Sequence, residues 1–403
     1  MNEIAPQSFF YEMGPIRPPS EGQDHSLLLR TTRNCPWNRC QFCSTYQGHK
    51  FSFRKVPEIK GDLEVVKAIY DKLLDAAQNS GLGGRVTQDA LRRVWAINPE
   101  LYGENAGNNT LKWQNLTNVA NWINSGARTV FLQDADALVM RTPDLVAVLN
   151  YLKEVFPTVE RVTAYARSKS CARKSMEELA QIRAAGLVRL HVGLESGCDE
   201  VLAWMKKGVT AREHVEGGKK AVAAGFSLSE YVMPGLGGKA LSRKHALDSA
   251  QVLNEINPDF IRLRSLALRR GSPLLDRWEK GEFDELPEDQ VVEEIGWFVE
   301  NLQCNAYLAS DQMSNLLWEV EGRLPQDKEK MLSLIRDYLT KPLGERLTFR
   351  RHRRRRSFLA VYGILGPELE ELVQAAEEAI RQDRADAAAR TDAAIAALKK
   401  GFV

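Results

Sequence analysis

The stretch RTTRNCPWNRCQFCSTY, residues 30–46, holds three of the chain's six cysteines within nine positions, at Cys35, Cys40 and Cys43. A thiolate is a metal ligand, and a short Cys-x4-Cys-x2-Cys loop can supply three of them to one centre. A cubane iron–sulfur cluster held in this way keeps one iron open to a non-protein ligand. A structural zinc ion wants a fourth ligand, and His49 follows closely enough to complete a Cys3His set. Unrelated buried thiols would not be expected on a segment this polar, with Pro36, Trp37, Asn38 and Arg39 between the first two cysteines. Cys171, Cys198 and Cys304 are scattered and make no second ligand set.

Those residues need elements to hold them. HSLLLRTT (25–32) reads as a strand leading directly into the cysteine loop, and DLEVVKAIYDKLLDAAQN (62–79) has helical apolar spacing, broken by SGLGGR. Residues 80–112 are polar and uneven and read as an excursion between regular elements. A helix ending at Gly126 precedes the strand RTVFLQD (128–134). Then come helix 143–155, strand RVTAYAR (161–167), helix 175–185 and strand LVRLHVGLE (187–195). Helix 211–224 leads to strand FSLSEYVM (226–233), and helix 241–255 to strand FIRLRSLAL (260–268). Six strands alternating with helices predict βαβ units and a parallel sheet, as an incomplete (β/α) barrel or an open doubly wound sheet. In both, the loops after the strands build the active site, and the cysteine loop is one of them. Past about residue 276 helical patterns dominate, at 285–301, 326–340 and 366–399, with a possible strand around CNAYLAS (304–310). The domain reading is an irregular arm at 1–24, a core at 25–275 and a mainly helical region at 276–403.

The cysteine loop resembles that of the radical S-adenosylmethionine superfamily, whose usual signature is Cys-x3-Cys-x-aromatic-Cys after the first strand. Phe42 occupies the aromatic position, and the first gap is one residue longer than usual. GLESGCDEVLAWMKKGVT (193–210) and SEYVMPGLGG (229–238) are similar to the fourth- and fifth-strand regions of one branch of that superfamily. The branch includes anaerobic coproporphyrinogen oxidase, methylthiotransferases and Elongator-type enzymes. The resemblance spans roughly residues 25–275 and implies an α/β fold, a partial (β/α)6 barrel with a mainly helical C-terminal extension. It also implies one [4Fe–4S] cluster on Cys35, Cys40 and Cys43, binding S-adenosylmethionine through its open iron. Reductive cleavage would give a 5′-deoxyadenosyl radical that takes hydrogen from an unidentified substrate. An electron donor such as flavodoxin or ferredoxin is implied as a partner.

The same resemblance suggests further cofactor contacts. Where family members carry Gly-Gly-Glu after the second strand, this chain has FLQDADAL, so Gln133, Asp134 and Asp136 stand in toward the methionine ammonium. Glu195, Lys207 and Glu230 match positions that meet the ribose hydroxyls, the carboxylate and the fifth-strand acid. Arg167 ends the third strand on the same expected face, where an arginine fork suits a carboxylate. Gly235, Gly237 and Gly238 have neither dinucleotide-fold nor Walker spacing and read as a tight turn. His191 and Cys198 read as buried residues. With so few cysteines left over, auxiliary clusters and sulfur insertion are disfavoured.

Residues 350–356 hold six arginines and one histidine. Such a run suits RNA phosphates, as an RNA-modifying member of the branch would need, or an acidic electron-transfer protein. The competing reading, favoured by a net charge of only +2, is a basic face balanced by the acidic helix that begins GPELEELVQAAEE (366–378). A porphyrinogen oxidase-like enzyme is another alternative. From a different class comes a zinc-binding nucleic-acid adaptor built on the three cysteines and His49. The composition, 44% hydrophobic and 27% charged, is that of a soluble globular chain with no spanning segment or secretory signal. Sparse cysteines point to the cytoplasm.

Overall fold

The computed structural model describes residues 9–18, 25–78, 85–98 and 106–400. Most of the glycine break at 80–85 and parts of the N-terminal arm lie outside them. The chain forms two compact units. One holds residues up to 36, 48–191 and 223–227; the other holds 37–47, 192–222 and 228 onward.

In the first unit β1 (Leu27–Arg30), β2 (Thr32–Arg33) and β3 (Ser52–Phe53) precede α1 (Val56–Gln78), α2 (Gln88–Ile97) and α3 (Ala106–Asn124). Then come β4 (Thr129–Gln133), α4 (Thr142–Val155), β5 (Arg161–Ala166), α5 (Ser168–Arg173), α6 (Met176–Ala185) and β6 (Leu187–Glu195). Strand β4 runs parallel to β1 and to β5, and all five of its residues are buried, as a central parallel strand requires. Helix α1 buries Ile59, Leu63, Val66, Ile69, Leu73 and Ala77, a single stripe at three- and four-residue spacing. Helix α6 opens on a capping box between Ser175 and Glu178 and ends at Gly186, whose φ of 118° needs a residue without a side chain.

Residues 88–97 and 106–112 are helical, where the sequence reading expected an excursion; the rest of α3 is the helix expected to end at Gly126. Helix α3 is rich in asparagine, a weak helix former. Packing decides otherwise: Leu116, Val119 and Trp122 are buried, and the asparagines act as braces. Asn118 accepts from the Leu28 N–H at 3.1 Å and the Tyr11 hydroxyl at 2.7 Å, and donates to the Ser26 carbonyl at 3.1 Å. These bonds replace water on β1 and on the N-terminal arm.

Residues 192–195 of β6 belong to the second unit. They are followed by α7 (Asp199–Trp204), α8 (Ala211–Ala223), β7 (Ser227–Val232), α9 (Gly238–Ile256) and β8 (Phe260–Leu263). Next are α10 (Pro273–Glu279), α11 (Glu288–Asn301), β9 (Tyr307–Ala309) and β10 (Gly322–Arg323). The chain closes with α12 (Lys328–Leu339), α13 (Leu343–Tyr362), α14 (Pro367–Arg381) and α15 (Ala387–Lys399). Strand β8 is parallel to β7 and β9, and β10 is antiparallel to β9. The mixed α/β class with a mainly parallel sheet is thus the one expected.

Two boundaries differ. The strand expected to reach residue 268 stops at Leu263, because the next residues bond to the exit of β7. The Arg264 N–H donates to the Val232 carbonyl at 2.9 Å and the Leu266 N–H to Pro234 at 2.8 Å. The helix expected over 366–399 is two helices, broken near Asp383, whose φ is +50°. Buried Ala376, Ala379, Ala387 and Ala394 let α14 and α15 pack against each other.

Candidate functional site

Cys35, Cys40 and Cys43 form no disulfide and are of intermediate exposure. The loop that carries them leaves from β2 and returns at β3, which pair as a short antiparallel ladder. In the second unit the Cys40–Cys43 turn is held on every side. The Cys43 N–H donates to the Cys40 carbonyl at 3.3 Å, and the Gln47 amide donates to the Cys43 carbonyl at 3.0 Å. Gln41 donates its N–H to Met205 at 2.9 Å and accepts from the Leu274 N–H at 2.9 Å. Phe42 packs against a buried cluster that includes Met205, Leu236, Leu266 and Leu274. Trp37 donates its indole N–H to the Lys206 carbonyl at 2.6 Å and lies over Gly208, whose φ is +72°. His49 is exposed.

In the first unit the residues after β4 are tied to structure. The Gln133 amide is used fully by the arm: it accepts the Gly14 N–H at 2.8 Å and donates to the carbonyls of Gly14 and Ile16. Asp134 is buried at φ +71°, bonds Arg30 Nε at 2.6 Å and accepts the Asn34 N–H at 3.0 Å. It thereby fixes the residue just before Cys35. Asp136 is buried, accepts the Ser170 hydroxyl at 2.5 Å and feels the charge of Arg167. Burial outweighs these partners and pushes its carboxyl up to about 6. Buried His191 packs edge-on against Tyr165.

In the second unit three predicted residues influence one another. Lys207 bonds Glu195 at 3.2 Å, and its ammonium lies 5.7 Å from the centre of the Phe42 ring. Glu195 adopts φ +63°, a conformation uncommon for a residue with a side chain. Gly193 leaves room for the pair, since a Cβ there would lie 2.3 Å from Glu195 Oε1 and 3.0 Å from Lys207 Nζ. Glu230 is fully buried, and neither carboxylate oxygen has a hydrogen-bond partner among the described residues. Burial pushes its carboxyl well above the usual range; Lys207 opposes the shift and Glu195 adds to it. An orphaned buried carboxyl beside a lysine–glutamate pair fits a ligand that brings its own donors.

A buried network that the sequence reading missed fixes the neighbouring turns. Glu294 accepts the Gly235 N–H at 2.7 Å and the Ser242 hydroxyl at 2.5 Å, while His245 bonds Ser196 at 2.8 Å and the Met233 carbonyl at 3.1 Å. Its only sequence signal was polar residues on the buried face of α9. Cys198 is buried, donates to Glu200 and has its thiol pushed up to about 11 by burial. Cys198, Glu200 and Asp248 lie close together, but Lys244 bonds both acids, at 3.1 and 2.5 Å.

The arginine run forms the middle of α13 and is largely spent within the protein. Arg354 is buried, bonds Glu288 at 2.6 Å and donates to the carbonyls of Met313 and Asn315. Arg350 bonds Asp392, Arg353 bonds Glu319 at 2.6 Å, and Arg351 bonds Glu377 at 2.8 Å. Arg355 lies 3.7 Å from Glu370. The balance with α14 anticipated from charge is present, joined by acids of other elements. His352 and Arg356 are the members left exposed.

No protein-family model matches the chain. In sequence it is 23% identical over 132 residues to the tRNA uridine(34) acetyltransferase of Methanocaldococcus infernus, covering 32% of this chain and 24% of the relative. The archaeal Methanocaldococcus infernus Elp3 matches in structure at 16% identity, covering 45% of this chain and 46% of that one, with a TM-score of 0.38. Coproporphyrinogen III oxidase from Escherichia coli, a radical SAM enzyme, matches at 13% identity over 70% of this chain and 53% of its own, with a TM-score of 0.40. The chain spans about a quarter of the length of the curated relative. Among the described residues no helix is long and apolar enough to cross a membrane.

Proposed function

We propose that this chain is a radical S-adenosylmethionine enzyme that uses one [4Fe–4S] cluster on Cys35, Cys40 and Cys43 and acts on an unidentified substrate. The observation that carries the reading is three half-buried thiols, none in a disulfide, on one loop whose Cys40–Cys43 turn is braced by hydrogen bonds. Three sulfur donors suit iron and leave one coordination position for the cofactor. When bound, the cluster and S-adenosylmethionine supply the one-electron cleavage chemistry and the hydrogen-abstracting radical.

The protein's own residues bind and orient. Glu195 would accept from ribose hydroxyls, Lys207 would meet the methionine carboxylate, and Glu230 would offer a carboxyl whose ionisation burial disfavours. Arg167 and Asp136 form a second polar group beyond β5 and β4. Gln133 and Asp134 act through the arm and Asn34, which they hold. Flavodoxin or ferredoxin is the class of electron donor.

A second reading, an RNA-modifying member of the superfamily, is favoured by the name of the sequence relative. It draws no support from the arginine run, whose charges are mostly paired internally.

Anaerobic reconstitution tests the reading. About four irons and as many sulfides per chain are expected, with a broad visible absorption band. Dithionite and S-adenosylmethionine should then release 5′-deoxyadenosine, and Cys40→Ala should abolish both signals. Stoichiometric zinc with no iron chromophore would establish the adaptor alternative instead. Salt-sensitive retention of transfer RNA by the reconstituted protein would support the RNA reading.

A further inference from the structure

The cysteine turn of the second unit lies between two other segments, and backbone bonds join it to both. Gln41 donates its N–H to Met205 at 2.9 Å and accepts from the Leu274 N–H at 2.9 Å. On one side the Trp37 indole reaches the Lys206 carbonyl at 2.6 Å. On the other, a Cβ at Gly271 would lie 3.9 Å from Ser44 Cβ. These three segments, 37–47, 201–212 and 264–275, contain no aspartate or glutamate and carry seven arginines and lysines. In a chain whose acids nearly equal its bases, 53 against 55, that is a strong local excess.

Three of these cations, Arg39, Lys206 and Arg270, are exposed and have no acid partner among the described residues. Arg39 is held in place without one, its guanidinium 5.2 Å from the centre of the Trp37 ring. Arg277 shows the contrast, since it lies 4.2 Å from the centre of the Trp204 ring but also bonds Glu282 at 3.0 Å. The arginines of α13 are likewise mostly taken by acids. Unpaired surface cations keep their field for an incoming partner. The aromatic rings of the loop are already packed: Trp37 on Gly208, Phe42 in the buried cluster, and Tyr46 buried. A single-stranded nucleic acid wants open rings on which its bases can stack. Positive charge without such a platform fits an acidic protein.

We propose that Arg39, Lys206 and Arg270 form the docking face for an acidic one-electron carrier protein beside the cysteine turn. The proposal rests on the superfamily reading, and it moves the carrier's contact from the arginine run of α13 to the loop that bears the thiols. Electron-carrier encounters bury little area and bind weakly, so a few unpaired cations suffice to steer them. The docked carrier is oxidised by one electron and the cluster reduced by one, with no bond made or broken. Arg39 directly precedes Cys40, so docking there keeps the path to a cluster ligand short.

The test uses the reconstituted full chain, with flavodoxin and ferredoxin as separate acidic probes and samples matched for iron content. Surface plasmon resonance follows binding at about 50 and about 300 mM sodium chloride, which weakens exposed electrostatics at the higher value. Wild type and the surface control Arg356→Gln should bind at least one carrier at low salt and release it at high salt. The triple variant Arg39→Gln, Lys206→Gln, Arg270→Gln should bind about tenfold more weakly at low salt, mainly through a slower association rate. Arg39→Glu alone should slow association in the same sense, which keeps the test decisive if the triple variant folds poorly. Binding of neither carrier by iron-loaded wild type, or equal binding by wild type and both variants, would overturn the proposal. Transfer RNA retention lost in step with the carriers would overturn it in favour of a nucleic-acid site. Wild type that takes up no iron refutes the superfamily reading itself, whereas iron without carrier binding refutes the docking face alone.

Discussion

Lys207 reaches Glu195 at 3.2 Å past Gly193, the one residue type that leaves the space between them open. The same lysine and glutamate act in opposite senses on the buried Glu230 carboxyl. Burial is the main influence on this acid of β7, and the pair at and just beyond the end of β6 modulates it.

Glu230→Gln should stabilise the protein at neutral and alkaline pH. Burial raises the folded-state carboxyl above its ordinary value of 4.5, so the folded chain keeps a proton that the unfolded chain releases. Wild-type stability therefore falls as pH rises above that value. The glutamine variant lacks the titration, and the difference in Tm between the two should widen with pH. A difference that stays constant from pH 5 to 8 would contradict the assignment.

Asp136→Asn gives a narrower window. Its carboxyl moves from 3.8 to about 6, so stability declines between those pH values and the full cost stands above them. A shift of that size corresponds to about 3 kcal/mol. Urea titrations at pH 4, 5, 6 and 7 should show the wild-type slope flattened in the variant, with Arg167 and Lys174 left in place as the nearby cations.

Removing Arg354 should be costly, because Glu288 would be left buried without its main partner. Breaking a buried pair from one side costs about 3–5 kcal/mol. Arg354→Met should lower the unfolding free energy by that amount, read from urea titration, and Arg354→Met with Glu288→Gln should recover much of it. Arg356→Ala, on the exposed face of α13, should change stability by less than about 0.5 kcal/mol. Similar costs for Arg354→Met and Arg356→Ala would refute the internal pairing of the run.

Gly208→Ala should loosen the cysteine loop. A Cβ there would lie 2.3 Å from the Trp37 ring, and φ of +72° is strained for alanine. The expected result is a red-shifted tryptophan emission and a loss of about 1–3 kcal/mol in stability. Iron retention after reconstitution should fall as well. Gly48→Ala, also at positive φ but with nothing near its Cβ, should bear only the backbone strain.

Much of the scaffold was legible because its signals are local. Helix α6 announces itself through Ser175, Glu178 and Gly186, and β4 through an unbroken apolar run. The first part of asparagine-rich α3 was not legible, although the helix ending at Gly126 was; α3 is braced by Trp122 packing and by bonds to Tyr11, Ser26 and Leu28, residues about ninety or more positions away. The break in the last helical stretch likewise depends on how two alanine faces meet.

For the site, the sequence alone determined the chemistry on offer: three clustered thiols, the Glu195, Lys207 and Glu230 positions, and a block of arginines, because side-chain type and spacing fix what a residue can ligate or ionise. Only the tertiary structure decided which of those groups are already occupied. Burial and partners are set by distant segments, and they consumed most of α13's arginines while leaving Glu230 without a hydrogen-bond partner among the described residues. The Glu294–His245 network came the same way, since no local pattern reveals which buried polar groups will meet.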